Sequence, residues 1–281
     1  MSHAARPCNP PSPPWFAVSD IDGTIVDQSF TVTEEERRAA GLLAAAGIPL
    51  VLATSKTLDE ARIYARKLRL PESCPGHAII AEEGAVVEAS SPGLLPEERL
   101  VLAQAPPEPE ELLPPGCSGS VKNITEMSPE EVSRLTGLPP AEAVAATRRL
   151  YTLALHGPRR CLEEARVRAA EMGLYARLGR VFLMVGRIRG KAAALRELLR
   201  RSPRLRHSRL IALGDNEMDL EMLETADIAI VVPPRDGKWP RPRRCDYLVA
   251  PAPAPEGWAV VVSWLARILA TGMSRAPPPR V

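Results

Sequence analysis

The apolar run Trp15-Phe16-Ala17-Val18 is followed almost at once by Asp20-Ile21-Asp22-Gly23-Thr24. A run that is apolar on both sides of the pleat is a strand covered on both faces, as in a parallel sheet flanked by helices. Carboxylates at its carboxyl end point into the crevice where such sheets bind ligands, and Gly23 lets the chain turn tightly away. The same alternation recurs along the chain. Glu34 to Ala46 reads as a helix opened by Thr33, Ile48 to Ala53 as a strand, Leu58 to Leu68 as a helix, and His77 to Ala81 as a strand ended by Glu82-Glu83-Gly84. Farther on, Lys191 to Arg200 and Leu220 to Thr225 read as helices, Leu210 to Leu213 and Ile228 to Val232 as strands. These pieces predict one doubly wound α/β core in two sections, residues 15–86 and 187–270.

Between the sections the pattern changes. Ser128 to Arg134 begins with a Ser-Pro pair and a Glu at the capping-box position, and Pro139 to Arg149 reads as a second helix. Leu150 to Leu155 and Arg180 to Val185 read as strands beside a helix from Arg159 to Met172. Residues 87–186 are therefore expected to form an inserted α+β domain. Many of the 30 prolines gather at 7–14, 106–115 and 277–279, which reads as flexible Pro-rich tails over 1–14 and 271–281 and a connector inside the insert.

A net charge of +2 gives no general attraction to a polyanion, and no basic, aromatic-interleaved patch suggests nucleic acid. The five cysteines are scattered without a C-x-x-C pair and read as reduced thiols of a cytoplasmic protein. No uninterrupted apolar run reaches membrane-spanning length, so no membrane partner is expected. The sequence leaves the oligomeric state open.

Asp20 and Asp22 would repel one another if left unpaired, a conflict that a hard divalent cation such as Mg²⁺ resolves. Gly214-Asp215-Asn216-Glu217-Met218-Asp219 follows another strand and brings further carboxylates. Thr54-Ser55-Lys56-Thr57 follows the second strand, supplying hydroxyls, helix N-terminal amides and a cation suited to phosphate.

This ordered set resembles the haloacid dehalogenase-type phosphatases, with a Rossmann-type core and an inserted cap between the second and third motifs. The resemblance implies Asp20 as nucleophile, Asp22 as general acid and base, and Thr54 as a phosphate ligand. It also implies Mg²⁺ held by Asp20, the backbone carbonyl of Asp22 and Asp215, with Asn216 and Asp219 just outside. The basic residue before Asp215 has two candidates in Ile188-Arg189-Gly190-Lys191: Arg189 by alignment and Lys191 by chemistry.

Ser55-Lys56-Thr57, the stretch from Met127 to Leu138 and Pro255-Glu256-Gly257-Trp258 look like mannosyl-3-phosphoglycerate phosphatases. That resemblance implies a small phosphorylated sugar-acid as substrate, its phosphate removed to give mannosylglycerate, a compatible solute. Ser55, Lys56, Glu82, Gly84, Arg148 and Arg149 are the candidate substrate contacts, an arginine being able to clamp a carboxylate with two parallel bonds. The family's acidic pair after the cap helix is replaced by Leu150 and Leu153, which apolar groups cannot replace toward sugar hydroxyls. A phosphatase for another sugar phosphate, phosphoglycerate or phosphoglycolate, and a non-catalytic binding module, stand as alternatives.

Overall fold

The computed structural model describes residues 14–70, 77–90, 94–235, 237, 240–244 and 246–271. The Pro-rich stretches read as tails fall almost wholly outside them, as do Cys8, Cys74 and Cys245.

The core is an eight-stranded sheet. Its strands are β1 (Trp15–Ser19), β2 (Leu50–Ala53), β3 (Ala78–Ala81), β4 (Val86–Ala89), β5 (Arg99–Val101), β10 (Arg209–Gly214), β11 (Ile228–Val231) and β12 (Tyr247–Val249). Their order is β12-β11-β10-β1-β2-β3-β4-β5, parallel from β12 to β3, with β4 and β5 added antiparallel. The chain runs outward from β1 through β2 on one side and outward from β10 on the other. The switch point therefore lies between β1 and β10, where the ends of the two strands leave a crevice.

Helices cover both faces. α1 (Glu34–Ala45), α2 (Leu58–Lys67) and α9 (Glu256–Thr271) bury Leu43, Tyr64 and Trp258 on one side. On the other, α7 (Lys191–Arg201) and α8 (Leu220–Thr225) bury Leu195, Leu198, Met222 and Leu223. Thr33 and Thr57 each close a capping box, with Glu36 and Glu60, fixing where α1 and α2 start.

The insert carries its own antiparallel sheet, ordered β6-β7-β9-β8, from β6 (Lys122–Asn123), β7 (Thr152–His156), β8 (Tyr175–Leu178) and β9 (Leu183–Gly186). Alternation along β7 sends Leu153 and Leu155 to one face, against α6 (Arg159–Glu171) and α3 (Pro109–Leu112). Ala154 turns to the other face with Phe182 and Met184, near α4 (Pro129–Thr136) and α5 (Pro140–Ala146). The α/β core with an inserted α+β unit is thus as the sequence predicts.

Two expectations need correction. The boundary at residue 87 is too early, because β4 and β5 belong to the core sheet; the chain leaves the core only near Gln104, whose N–H donates to the carbonyl of Arg187 on the returning segment (3.3 Å). Short antiparallel additions carry no periodicity that separates them from an insert. Cys117 and Cys161 are also not free thiols but a disulfide, their Cα atoms 5.9 Å apart across 44 residues. Spacing alone does not reveal which cysteines the fold brings together, and the argument for a reducing compartment loses these two. No helix among the described residues is long and apolar enough to cross a membrane.

Candidate active site

The carboxyl ends of β1, β2 and β10 converge. Asp20 follows β1, its N–H donating to the Leu213 carbonyl of β10 (3.1 Å), and it is buried. Behind it, Trp258 donates from Nε1 to Ser19 Oγ (3.0 Å), and Ser19 Oγ donates to the Asp20 carbonyl (2.8 Å). The Trp258 of the C-terminal motif therefore props the strand end that presents Asp20. Gly23 has φ +77, and an added Cβ would overlap the Asp215 carboxylate. Only glycine lets the turn after Asp22 pass under that group.

Lys191, the first residue of α7, reaches Asp20 Oδ1 and Asp219 Oδ1, both at 3.0 Å. Arg189 is exposed two residues earlier, so of the two candidates it is Lys191 whose side chain lies beside Asp20. The reason is register: the side chain at the first helical position points into the crevice, and that at Arg189 points to solvent. Burial works against charge on Lys191, yet Asp20, Asp219 and Glu83 outweigh it and raise its pKa well above the ordinary lysine value.

Asp20, Asp215 and Asp219 offer oxygens all within 4.8 Å of one another. Burial raises the Asp20 pKa well above the usual range; Lys191 pulls it down, while Asp219, Asp215 and Asp22 push it up. Burial, and then Asp219, push Asp215 up to about 7. Thr24 Oγ1 and Asn216 Nδ2 donate to Asp215 Oδ1 at 3.2 and 2.9 Å. Asp219 Oδ2 accepts the N–H groups of Asp215 (3.2 Å) and Asn216 (3.4 Å), so it orders the loop as well as pairing Lys191. Carboxylates crowded this way with one lysine are short of positive charge, and an oxygen-only donor set suits a hard divalent cation.

Thr54 is fully buried at the end of β2, and its Oγ1 accepts the Lys56 N–H (3.2 Å). Lys56 Nζ stands 3.0 Å from Asp22 Oδ1 and 3.8 Å from Glu60, with the Phe30 and Tyr64 rings about it. Burial opposes its charge, but Asp22 and Glu60 more than restore it. Lys56 thereby fixes the position of Asp22.

The remaining candidates divide. Ser55, Lys56 and Arg149 line a cleft of about 1020 Å³ between core and cap, which also takes in Asp22, Glu83 and Asp215. Arg148 does not line it: its exposed side chain lies 3.6 Å from Asp59 on the surface. Glu82 faces the returning cap segment, where its carboxylate accepts the N–H groups of Leu150 (3.1 Å), Tyr151 (2.9 Å) and Thr152 (2.9 Å) and the Thr152 hydroxyl (2.9 Å). Gly84, at φ +93, is a packing position, since a Cβ there would lie 2.5 Å from the Gly190 carbonyl. Leu150 is exposed and Leu153 sits in the cap core, so neither faces the cleft.

Sequence reasoning missed Tyr175, Arg177 and Arg180 of the cap. Arg177 and Arg180 line the cleft and Tyr175 lies beside Glu83. A strand signal at Tyr175-Ala176-Arg177 after Gly173 was the available cue.

A family profile described as haloacid dehalogenase-like hydrolase matches residues 17–100. Among solved structures, a haloacid dehalogenase-like hydrolase from Bacteroides thetaiotaomicron superposes with a TM-score of 0.63 at 17% identity, covering 90% of this chain and 99% of that one. A subclass IIB sugar phosphatase of the same superfamily gives a TM-score of 0.60 at 18% identity, covering 91% and 99%. The fold is that of the haloacid dehalogenase-like hydrolases with a cap of the IIB kind, and residues 17–100 match their profile. Two sequence relatives carry the name glucosyl-3-phosphoglycerate/mannosyl-3-phosphoglycerate phosphatase. The one from Methanococcoides burtonii is 29% identical over 79% of this chain and 85% of its own length. The one from Persephonella marina is 23% identical over 85% and 93%.

Proposed function

We propose that the chain is an Mg²⁺-dependent phosphatase of small phosphorylated sugar-acids, with mannosyl- or glucosyl-3-phosphoglycerate as its substrate. The observation that carries this reading is buried Asp20 at the crevice floor, held 3.0 Å from Lys191 and crowded by Asp215 and Asp219. Mg²⁺ would be held by Asp20, the Asp22 backbone carbonyl and Asp215, and when bound it neutralises phosphate charge and keeps Asp20 ionised.

Asp20 attacks phosphorus, and the bond from phosphorus to the ester oxygen breaks. Asp22, fixed by Lys56, gives its proton to the departing alkoxide. The resulting aspartyl-phosphate is hydrolysed by a water whose proton Asp22 takes back, releasing inorganic phosphate. Thr54 and Lys191 hold phosphoryl oxygens. Asn216 and Asp219 shape the loop that carries Asp215.

The names of the two relatives favour this substrate, as do the arginines on the cleft wall: Arg177 and Arg180 suit a ligand carrying a carboxylate besides its phosphate. A different sugar phosphate is the second reading, favoured by the apolar cap face of Ile124, Leu138 and Phe182 in the same cleft. Phosphate release with Mg²⁺ over a substrate panel decides between them. Mannosyl- or glucosyl-3-phosphoglycerate should lead the panel by at least about tenfold in kcat/KM; no release from either refutes that choice. Asp20→Asn should abolish turnover of every substrate, p-nitrophenyl phosphate included.

A further inference from the structure

Apart from Asp22 Oδ1, which is ion-paired with Lys56, two buried polar atoms on the cleft wall have no hydrogen-bond partner in the structure: Glu83 Oε1 and Arg149 Nε. Both residues line the cleft, and both are more than nine-tenths buried, Glu83 at 1% exposure and the Arg149 side chain at 5%. The rest of the Arg149 side chain is anchored. Arg149 donates from Nη1 to Thr152 Oγ1 (2.8 Å) and from Nη2 to the Ser55 carbonyl (3.1 Å). Glu83 lies beside Tyr175 of the cap and in the field of Lys191. What remains is one orphan donor and one orphan acceptor, and leaving such atoms buried and unpaired costs free energy that a ligand would recover.

We propose that Glu83 Oε1 and Arg149 Nε receive hydroxyl groups on the organic part of the phosphomonoester. A hydroxyl can accept from the Nε–H through its lone pairs and donate to Oε1 through its proton, so one type of group suits both. A carboxylate or a second phosphate would satisfy Arg149 but meet Glu83 acceptor to acceptor, and an alkyl or aryl group would satisfy neither. The pair therefore selects polyol phosphates over esters without hydroxyls. It supplies from the core the carboxylate that Leu150 and Leu153 do not supply from the cap. This inference rests on the phosphatase reading above.

The test compares two substrates, p-nitrophenyl phosphate, which has no hydroxyl, and mannosyl-3-phosphoglycerate or the best sugar phosphate of the panel. Glu83→Leu should lower kcat/KM for the hydroxylated substrate about ten- to a hundredfold more than for the aryl ester, mainly through KM. Glu83→Gln, whose amide oxygen still accepts, should recover most of the difference. Arg149→Lys, which keeps the charge and removes the Nε–H, should show the same selective loss and decides the matter if Glu83→Leu does not fold. Equal losses on both substrates, or none, overturn the hydroxyl pair while leaving the phosphatase reading intact. A wild-type chain that hydrolyses neither substrate refutes the phosphatase reading and this pair with it.

Discussion

The Glu82 carboxylate ties core to cap by accepting four hydrogen bonds, and Glu82→Gln tests that tie. Its Oε2 accepts Tyr151 N–H, Thr152 N–H and the Thr152 hydroxyl, each at 2.9 Å, while Oε1 accepts Leu150 N–H at 3.1 Å. A glutamine keeps the shape. If its oxygen takes the three-bond position, its amide nitrogen meets Leu150 N–H donor to donor; the reverse orientation is worse, setting one nitrogen against three donors. One buried donor left unpaired costs about 1–3 kcal/mol, and the surviving bonds lose their charge assistance. The strained backbone at Glu82, φ +47, is common to wild type and variant, so it adds nothing to the difference. The sum is about 2 kcal/mol, or a fall of about 4–8 °C in Tm for a chain of this size. Thermal unfolding followed by circular dichroism measures it, and amide hydrogen exchange at residues 150–152 should quicken. A Tm within 2 °C of wild type together with unchanged exchange at these amides would show that the clasp contributes nothing and that the bonding argument is wrong.

Three further outcomes follow from the same geometry. Lys191→Met should lower kcat at least about a hundredfold by removing the cation beside Asp20, while Arg189→Met should change it less than about twofold; the opposite ranking would restore the alignment-based assignment. Burial and Asp219 push Asp215 up to about 7 from 3.8, so the metal-free folded chain binds a proton that the unfolded chain releases. That stability is complete below about pH 4 and lost as pH rises through about 7, and Mg²⁺ should therefore raise Tm more at pH 8 than at pH 5.5. Equal gains would contradict the proposed metal site. Cys117→Ser opens a loop of 44 residues and should cost about 4 kcal/mol in urea unfolding, matched by adding reductant to the wild type.

Much of the core was legible because its signals are local. Thr33 and Thr57 cap the helices they precede, β1 is a short apolar run followed by carboxylates, and Asp215 follows β10. The cap's partners were harder to read because they are set by what lies across the cleft. Glu82 and Arg148 have the residue types of substrate contacts, yet one faces cap amides and the other faces Asp59 at the surface. Arg149 sits one residue from Arg148 and points into the cleft, a difference that only the end of α5 and its following turn decide. The choice between Arg189 and Lys191 turned likewise on where α7 begins.

The turn after β3 shows why these features belong together. Glu82, Glu83 and Gly84 have φ of +47, +60 and +93 in succession, a run that two non-glycine residues enter only under constraint. Each residue answers to a different neighbour. Glu82 holds the cap backbone at 150–152, Glu83 presents its carboxyl to the cleft, and Gly84 lets the Gly190 carbonyl approach so that α7 starts close enough for Lys191 to reach Asp20. With ordinary β or α dihedrals, successive side chains would leave in other directions and at least one of the three contacts would be lost. The local strain is thus the geometric condition for one short turn to fix the cap, the cleft wall and the lysine beside Asp20 at once.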